Sequence, residues 1–326
     1  MKNRIVVIAS SVLIALAVAG CASTGRQTTD LFELAKTGTP QSIRAAISQG
    51  SDVNAQTEDG VTPLIAAAGA NPNPEVITAL LRGGADLTAL DNNGMSALMH
   101  AASANPNPQV ITTLVKAGAD LKAQDQEGAT PLMYAAWHNR NPDVFAALLK
   151  AGADVNARAH DGETALMWAA MNNQNPDVIT TLVKAGADPT ARENDGATAL
   201  QFAATHNPNP DVIVALLKAG AGPDLNTRNG DGLTVLMFAA HSQSPAVITI
   251  LLKAGAGINA QDNKGMTALM WAAAYNTNPE AITQLLKAGA EAKLKDELGK
   301  TASDYGQDNE KLKGTDAYRQ LQEGSQ

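Results

Sequence analysis

The chain has one cysteine in 326 residues, few aromatics (3 Trp, 4 Tyr, 4 Phe) and only 17% charged residues. A single cysteine excludes an internal disulfide framework and any thiolate zinc cluster. With rings so scarce, a core must be assembled from small aliphatic side chains, which suits closely packed helices. Cations are also short, with 24 Lys and Arg against 32 Asp and Glu and a net charge of -8. That balance provides no basic face of the kind from which nucleic-acid binders draw most of their affinity, so no nucleic-acid partner is expected. Apolar residues make up 44% of the chain, which is enough to exclude wholesale disorder. Length alone suggests two domains at about 100–200 residues each, an estimate that internal repetition would overrule.

Long uncharged apolar runs are absent except at the start, where Lys2 and Arg4 precede Ile5 to Gly20. A positive segment followed by an apolar stretch shorter than the ~20 residues of a spanning helix reads as a secretion signal. The run ends Val18-Ala19-Gly20-Cys21, which resembles a bacterial lipobox. That resemblance implies a signal peptide at 1–20, lipidation of Cys21, a short tether over 21–28 and a place on the periplasmic side of a bacterial membrane. Ala22 after the cysteine resembles sorting to the outer membrane. The alternative is an ordinary signal or membrane anchor with an incidental cysteine.

The rest is one unit repeated. Glycines recur at Gly60, Gly94, Gly128, Gly162, Gly196, Gly232, Gly265 and Gly299, with spacings of 34, 34, 34, 34, 36, 33 and 34. The unit from Asp125 to Arg158 shows the logic. Glu127-Gly128 is a turn. Thr130-Pro131 starts a helix, threonine as cap and proline at the first helical position. Leu132, Ala135 and Ala136 form its apolar face. Asn141-Pro142-Asp143 starts a second helix, with the acid at the positive dipole end and Val144, Leu148 and Leu149 facing the core. Gly152 is a left-handed stop, and an extended arm leads to the next turn.

Gly60-Val61-Thr62-Pro63-Leu64, Ala67-Ala68, Leu80-Leu81 and Gly84-Ala85-Asp86, recurring as far as Ala290, resemble the ankyrin repeat. A tetratricopeptide-type helical pair shares the period but lacks the Thr-Pro-Leu and Gly-Ala-Asp elements. The resemblance covers residues 29–324 and implies an all-α solenoid of about nine stacked helix pairs. It would comprise a capping unit at 29–56, seven central units at 57–296 and a polar capping unit at 297–324. The sequence departs from the family pattern in four ways. Most units lengthen the inter-helix loop to Asn-x-Asn-Pro. The histidine after Thr-Pro-Leu is replaced by Ile65, Met99, Met133, Met167, Gln201, Met237 and Met270, so packing is expected to replace the family's Thr–His bonds. Gly222-Pro223 is inserted, and the stretch at Ser242-Gln243-Ser244-Pro245 is one residue short, so irregularity is expected near 222–245.

Candidate binding residues lie on the first helix of each unit. One column reads Ala66, His100, Tyr134, Trp168, Phe202, Phe238 and Trp271. These rings either fill gaps between small alanine neighbours or form a strip that anchors a partner, aromatics being common at binding hot spots. The variable positions beyond them add Trp137, His138, Met171, His206, His241 and Tyr275. In ankyrin proteins the first helix lines the concave face, and these positions and the turn tips make most partner contacts. Acidic turn tips read as turn chemistry or as an attractor for a basic partner. A basic column (Arg82, Lys116, Lys150, Lys184, Lys218, Lys253, Lys287) reads as dipole compensation at second-helix ends. His138 and His206 sit two units apart, roughly 20 Å at ~10 Å per packed helix, too far to share a metal.

No phosphate loop, nucleophile elbow or zinc motif appears, so no catalytic residue, cofactor or metal is expected. The sequence thus points to a monomeric, non-enzymatic scaffold in the bacterial envelope. It would recognise protein partners and meet the membrane only through its lipid. The alternative is an inhibitor or immunity protein that blocks a periplasmic toxin or lytic enzyme.

Overall fold

The computed structural model describes residues 30–242 and 244–325; the expected signal segment, Cys21 and the tether lie outside the described residues. Among the described residues, eighteen α-helices alternate between two layers. The first-helix layer holds α1 (Leu31–Thr37), α3 (Pro63–Ala70), α5 (Ala97–Ala104), α7 (Pro131–His138), α9 (Ala165–Asn172), α11 (Ala199–His206), α13 (Val235–His241), α15 (Ala268–Tyr275) and α17 (Ala302–Gln307). The second layer holds α2 (Pro40–Ser48), α4 (Pro74–Arg82), α6 (Pro108–Lys116), α8 (Pro142–Lys150), α10 (Pro176–Lys184), α12 (Pro210–Leu216), α14 (Pro245–Lys253), α16 (Pro279–Lys287) and α18 (Asp316–Ser325). Each helix packs on the equivalent helix of the neighbouring unit and on its own partner, so the core is one continuous aliphatic seam between the layers.

Local chemistry sets the boundaries. Thr130 caps α7 by accepting from the Met133 N–H, and Asn141 caps α8 by accepting from the Asp143 N–H at 3.0 Å. Gly152 ends α8 with φ 100°. Gly128 has φ 82°, and a Cβ there would lie 2.6 Å from the His160 ring. The approach has a purpose: the His160 N–H donates to the Glu127 carbonyl at 2.9 Å, and the same finger-to-finger bond recurs from Asn92–Asp59 to Glu297–Lys264. In α8 the buried residues are Val144, Phe145 and Leu148. Leu149, expected to face the core, is half-buried and packs against its edge.

The Asn-x-Asn-Pro loops form a ladder. The Asn139 side-chain amide donates to the carbonyls of Ala102 and Asn105, both at 3.0 Å, while its Oδ1 accepts from the Asn141 N–H. Asn105 bonds back to Ala68 and Asn71, Asn173 to Ala136 and Asn139, and Asn207 to Ala170 and Asn173. Each rung thus satisfies carbonyls at the end of the preceding first helix, which carry no intrahelical partner. An outer rail runs alongside, in which Asn107, Asn141, Asn175 and Asn209 donate to the carbonyls of Pro72, Pro106, Arg140 and Gln174.

The methionine column does more than pack. The sulfurs of Met99, Met133, Met237 and Met270 each lie 3.4 Å from the backbone N–H of the residue that caps their own helix. Thioether sulfur is a weak acceptor, but it closes a reciprocal cap of the kind usually made by Glu or Gln. Gln201 does so with an amide and also donates to the carbonyls of Thr227 and Leu233 in the next unit.

Regularity fails near the inserted Gly222-Pro223. Helix α12 stops at Leu216, followed by a wide turn at Leu217–Ala221 with Gly220 at φ 106° and a tight turn at Gly222–Asn226. Helix α13 has 7 residues where α11 and α15 have 8. Ser242 occupies the ladder position there, and its hydroxyl turns back to Ala239 instead of reaching the previous unit. The hydroxyls of Thr198 and Thr234, which begin α11 and α13, are buried without a hydrogen-bond partner. Several ties therefore weaken at one junction, where the sequence expected an irregularity.

Candidate partner-binding face

The seven first helices α3 to α15 contain no Asp, Glu, Lys or Arg. Four second helices, α4, α8, α10 and α16, by contrast begin with an acid and end with a cation. The basic column follows that rule at Arg82, Lys116, Lys150, Lys184, Lys253 and Lys287. Lys218 instead falls in the wide turn after α12.

The ring column has internal partners that sequence reasoning missed. An aspartate opens the finger nine residues before the ring. One of its oxygens accepts backbone N–H groups of the turn, and the other meets the ring's polar edge. The pairs are Asp91–His100 at 2.8 Å, Asp125–Tyr134 at 2.5 Å, Asp262–Trp271 at 3.0 Å and Asp296–Tyr305 at 2.5 Å. At the two phenylalanines the turn residue has no free carboxylate oxygen. Glu193 spends both oxygens on the N–H groups of Asp195 and Ala197 above Phe202. Asn229 uses its one oxygen on Asp231 and Leu233 above Phe238. The readable signal was the Asp-x8-ring spacing, which also adds Tyr305 to the column.

Trp168 breaks the spacing, because Ala159 stands where the aspartate would be. Glu163 supplies the carboxylate from the other side, accepting from Trp168 Nε1 at 2.6 Å. Burial pushes the Glu163 carboxyl up to about 7, helped by the charges of Asp161 and Glu193 and opposed by the Trp168 bond. Trp168 is only 3% exposed. Its expected role as a contact residue is therefore corrected: it supports the surface from below.

The other candidates form two ring clusters. At α7 and α9, Trp168 packs edge-on against Tyr134 and Trp137 with centroids 5.8 and 5.6 Å away, and His138 lies 6.2 Å from Trp137. Burial, then the bond to Asp125, then the charges of Asp125, Glu127 and Asp91 hold the Tyr134 hydroxyl far above its ordinary range. His138 accepts or donates at Nδ1 to the Ser103 hydroxyl, 3.1 Å away. Desolvation of its inner edge lowers its pKa although its outer edge is exposed. At α13 and α15, His241, Trp271 and Tyr275 pack with centroids 5.2–6.0 Å apart, and Tyr275 is 53% exposed. Between the clusters lie half-buried Met171, Phe202 and Phe238 and exposed His206. Desolvation chiefly lowers the pKa of His206, with nearby His241 adding to it. The candidates thus fall into two ring clusters with a shallower stretch between.

Among the described residues no group of three or more His, Cys, Asp or Glu is placed to hold a metal ion, and no helix is long and apolar enough to cross a membrane.

Paired helices stacked at a constant period, with fingers bonded tip to tip, define a helical repeat solenoid. Its family follows from comparison with known proteins. A family model described as ankyrin repeats (3 copies) matches four overlapping stretches, residues 31–125, 70–159, 132–226 and 200–296. The chain belongs to the ankyrin repeat family, whose members are typically non-enzymatic scaffolds for protein–protein interaction. The last helix pair, α17 and α18, lies beyond the matched residues and continues the stack. Comparison with curated proteins found no match.

Proposed function

We propose that the protein is a non-enzymatic scaffold, held at the periplasmic side of a bacterial membrane by a lipid on Cys21, that binds a protein partner along its first-helix face between Trp137 and Tyr275. The observation that carries the reading is the contrast along one helix row. Apart from Trp168 and Gln201, the buried positions are small or aliphatic residues or methionine repeated unit after unit, while the more exposed ends vary through Trp137-His138, Met171-Asn172, Thr205-His206, His241 and Tyr275. Constant flanks around varied, ring-rich ends are what a preorganised recognition surface requires, since little ordering entropy is lost on binding. The lipid would confine the scaffold near its target and raise the effective concentration there. The lipobox-like Val18-Ala19-Gly20-Cys21 supports the anchor.

Crosslinking the tagged full-length chain in a bacterial host of its own, followed by mass spectrometry, tests the reading. A stoichiometric envelope protein is expected, and its loss on replacing Trp137 or Tyr275 would place it on this face. A partner retained by both variants would refute that placement. Cys21→Ser should release the chain from the membrane fraction; unchanged fractionation would sink the anchor. If the captured partner is a toxin or lytic enzyme whose activity falls on binding, the inhibitor alternative holds.

A further inference from the structure

The α7–α9 ring cluster is set in an excess of carboxylate. Exposed Glu127 and Asp161 are close enough to act on Tyr134 and Glu163, and behind the rings stand Asp125 and Glu163. None of the four ion pairs among the described residues involves these groups. The nearby Arg158 guanidinium is turned along the stack, where it donates to the Arg192 carbonyl at 2.5 Å. Burial chiefly raises the Tyr134 and Glu163 pKa values, and neighbouring carboxylates add to both. The α13–α15 cluster differs, because Lys264 and Leu298 occupy the two finger tips nearest its C-terminal side.

Two of the rings here also hand their positive edge to an acid. Tyr134 donates to Asp125 and Trp168 donates to Glu163. A ring whose edge is satisfied by a carboxylate keeps its electron-rich face for other contacts, and ring faces attract cations, most often arginine. Trp137 is half-buried beside exposed His138, and among the described residues its edge meets no carboxylate.

We infer that the α7–α9 cluster is a docking site for a cationic side chain, an arginine on an extended segment of the partner protein, seated on Trp137 and held by Glu127 and Asp161. This rests on the scaffold reading above and adds the chemistry of its partner. Charge complementarity selects the occupant: an acidic segment would meet the exposed carboxylates of Glu127 and Asp161, and a neutral one would leave them unused.

The test is calorimetric titration of the full chain with a glycine–serine decapeptide carrying two arginines, and with the same peptide carrying citrulline. Citrulline keeps the shape of arginine and removes its charge. Citrulline should bind about 5- to 30-fold more weakly, the size of one desolvated cation–π contact. Trp137→Leu should weaken the arginine peptide to a similar degree while leaving net charge unchanged, with circular dichroism checking the fold. Glu127→Gln, at an exposed side chain, should weaken binding most at low salt. Gln320→Ala, at an exposed position of α18 in the second-helix layer, should leave it unchanged. Equal affinity for the two peptides, undiminished binding by Trp137→Leu, or no binding of the arginine peptide overturns the inference. Capture of a native partner that is indifferent to Trp137→Leu but lost with Tyr275→Leu would overturn it and leave the scaffold reading standing.

Discussion

Replacing Asn139 with alanine isolates the asparagine ladder. The substitution removes two buried donors, to Ala102 and Asn105, and one acceptor, for the Asn141 N–H. Its backbone carbonyl, which receives the next rung from Asn173, stays in place. Two carbonyls and one N–H then lose their partners in a site closed to water. At about 0.5–1.5 kcal/mol per net bond, and more where a buried group is left unsatisfied, the loss should total about 2–4 kcal/mol. Asn139→Asp keeps the acceptor and sets a carboxylate beside two carbonyl oxygens, so it should cost at least as much. The assay is urea unfolding followed by circular dichroism, with hydrogen exchange locating the effect. Stack energetics are close to nearest-neighbour sums, so lost protection should centre on α5 and α7 and fade within a unit or two. An alanine variant unfolding within about 0.5 kcal/mol of the parent, or loss of protection spread evenly along the chain, would refute the ladder's role.

Other expectations concern the core, a titration and the irregular junction. Leu148→Ala opens a cavity between layers and should cost about 2–5 kcal/mol in urea unfolding; an unchanged midpoint would displace Leu148 from the core. Glu163 holds its proton more tightly folded than unfolded, with its pKa raised from 4.5 to about 7. The stability it adds is full below about pH 4.5 and is lost as pH climbs through about 7. Glu163→Gln keeps an acceptor for Trp168 without the charge. It should match the parent near pH 4 and exceed it at pH 8 by up to about 3 kcal/mol, and parallel pH profiles would count against this. Hydrogen exchange should show its weakest internal protection where α11 meets α13, because a ladder rung, a regular helix end and two cap hydroxyls all fail there; uniform protection across that junction would contradict it.

The architecture was legible because its signals are local. Thr130-Pro131, Asn141-Pro142 and Gly152 each act within a few residues, and their recurrence fixes the period. The ladder was not legible, because the Asn139 amide bonds to carbonyls 34 and 37 residues away. A backbone acceptor carries no side-chain signature. The sequence shows that the loop is long and stiff but not what it holds. The methionine column was expected only to pack, since a thioether accepting from its own helix cap is a weak contact that composition does not advertise. At the site, the Asp-x8-ring pairs were present in the sequence but were read as two separate features, acidic turns and an aromatic strip. Trp168 resisted because Ala159 removes the usual partner and Glu163 replaces it from another position.

The ladder also bears on how such a chain changes length over generations. Every regular rung joins a side chain to the same backbone atoms of the unit before it, so a gene segment encoding one whole unit could be duplicated or lost and the new neighbours would still mate. A gain or loss of a single residue has no such protection. Ser242 shows what remains after one: the units still stack, but the bond between them is not remade. Recombination in whole units would therefore reshape the exposed ring pattern, and with it the choice of partner, while leaving the joints intact.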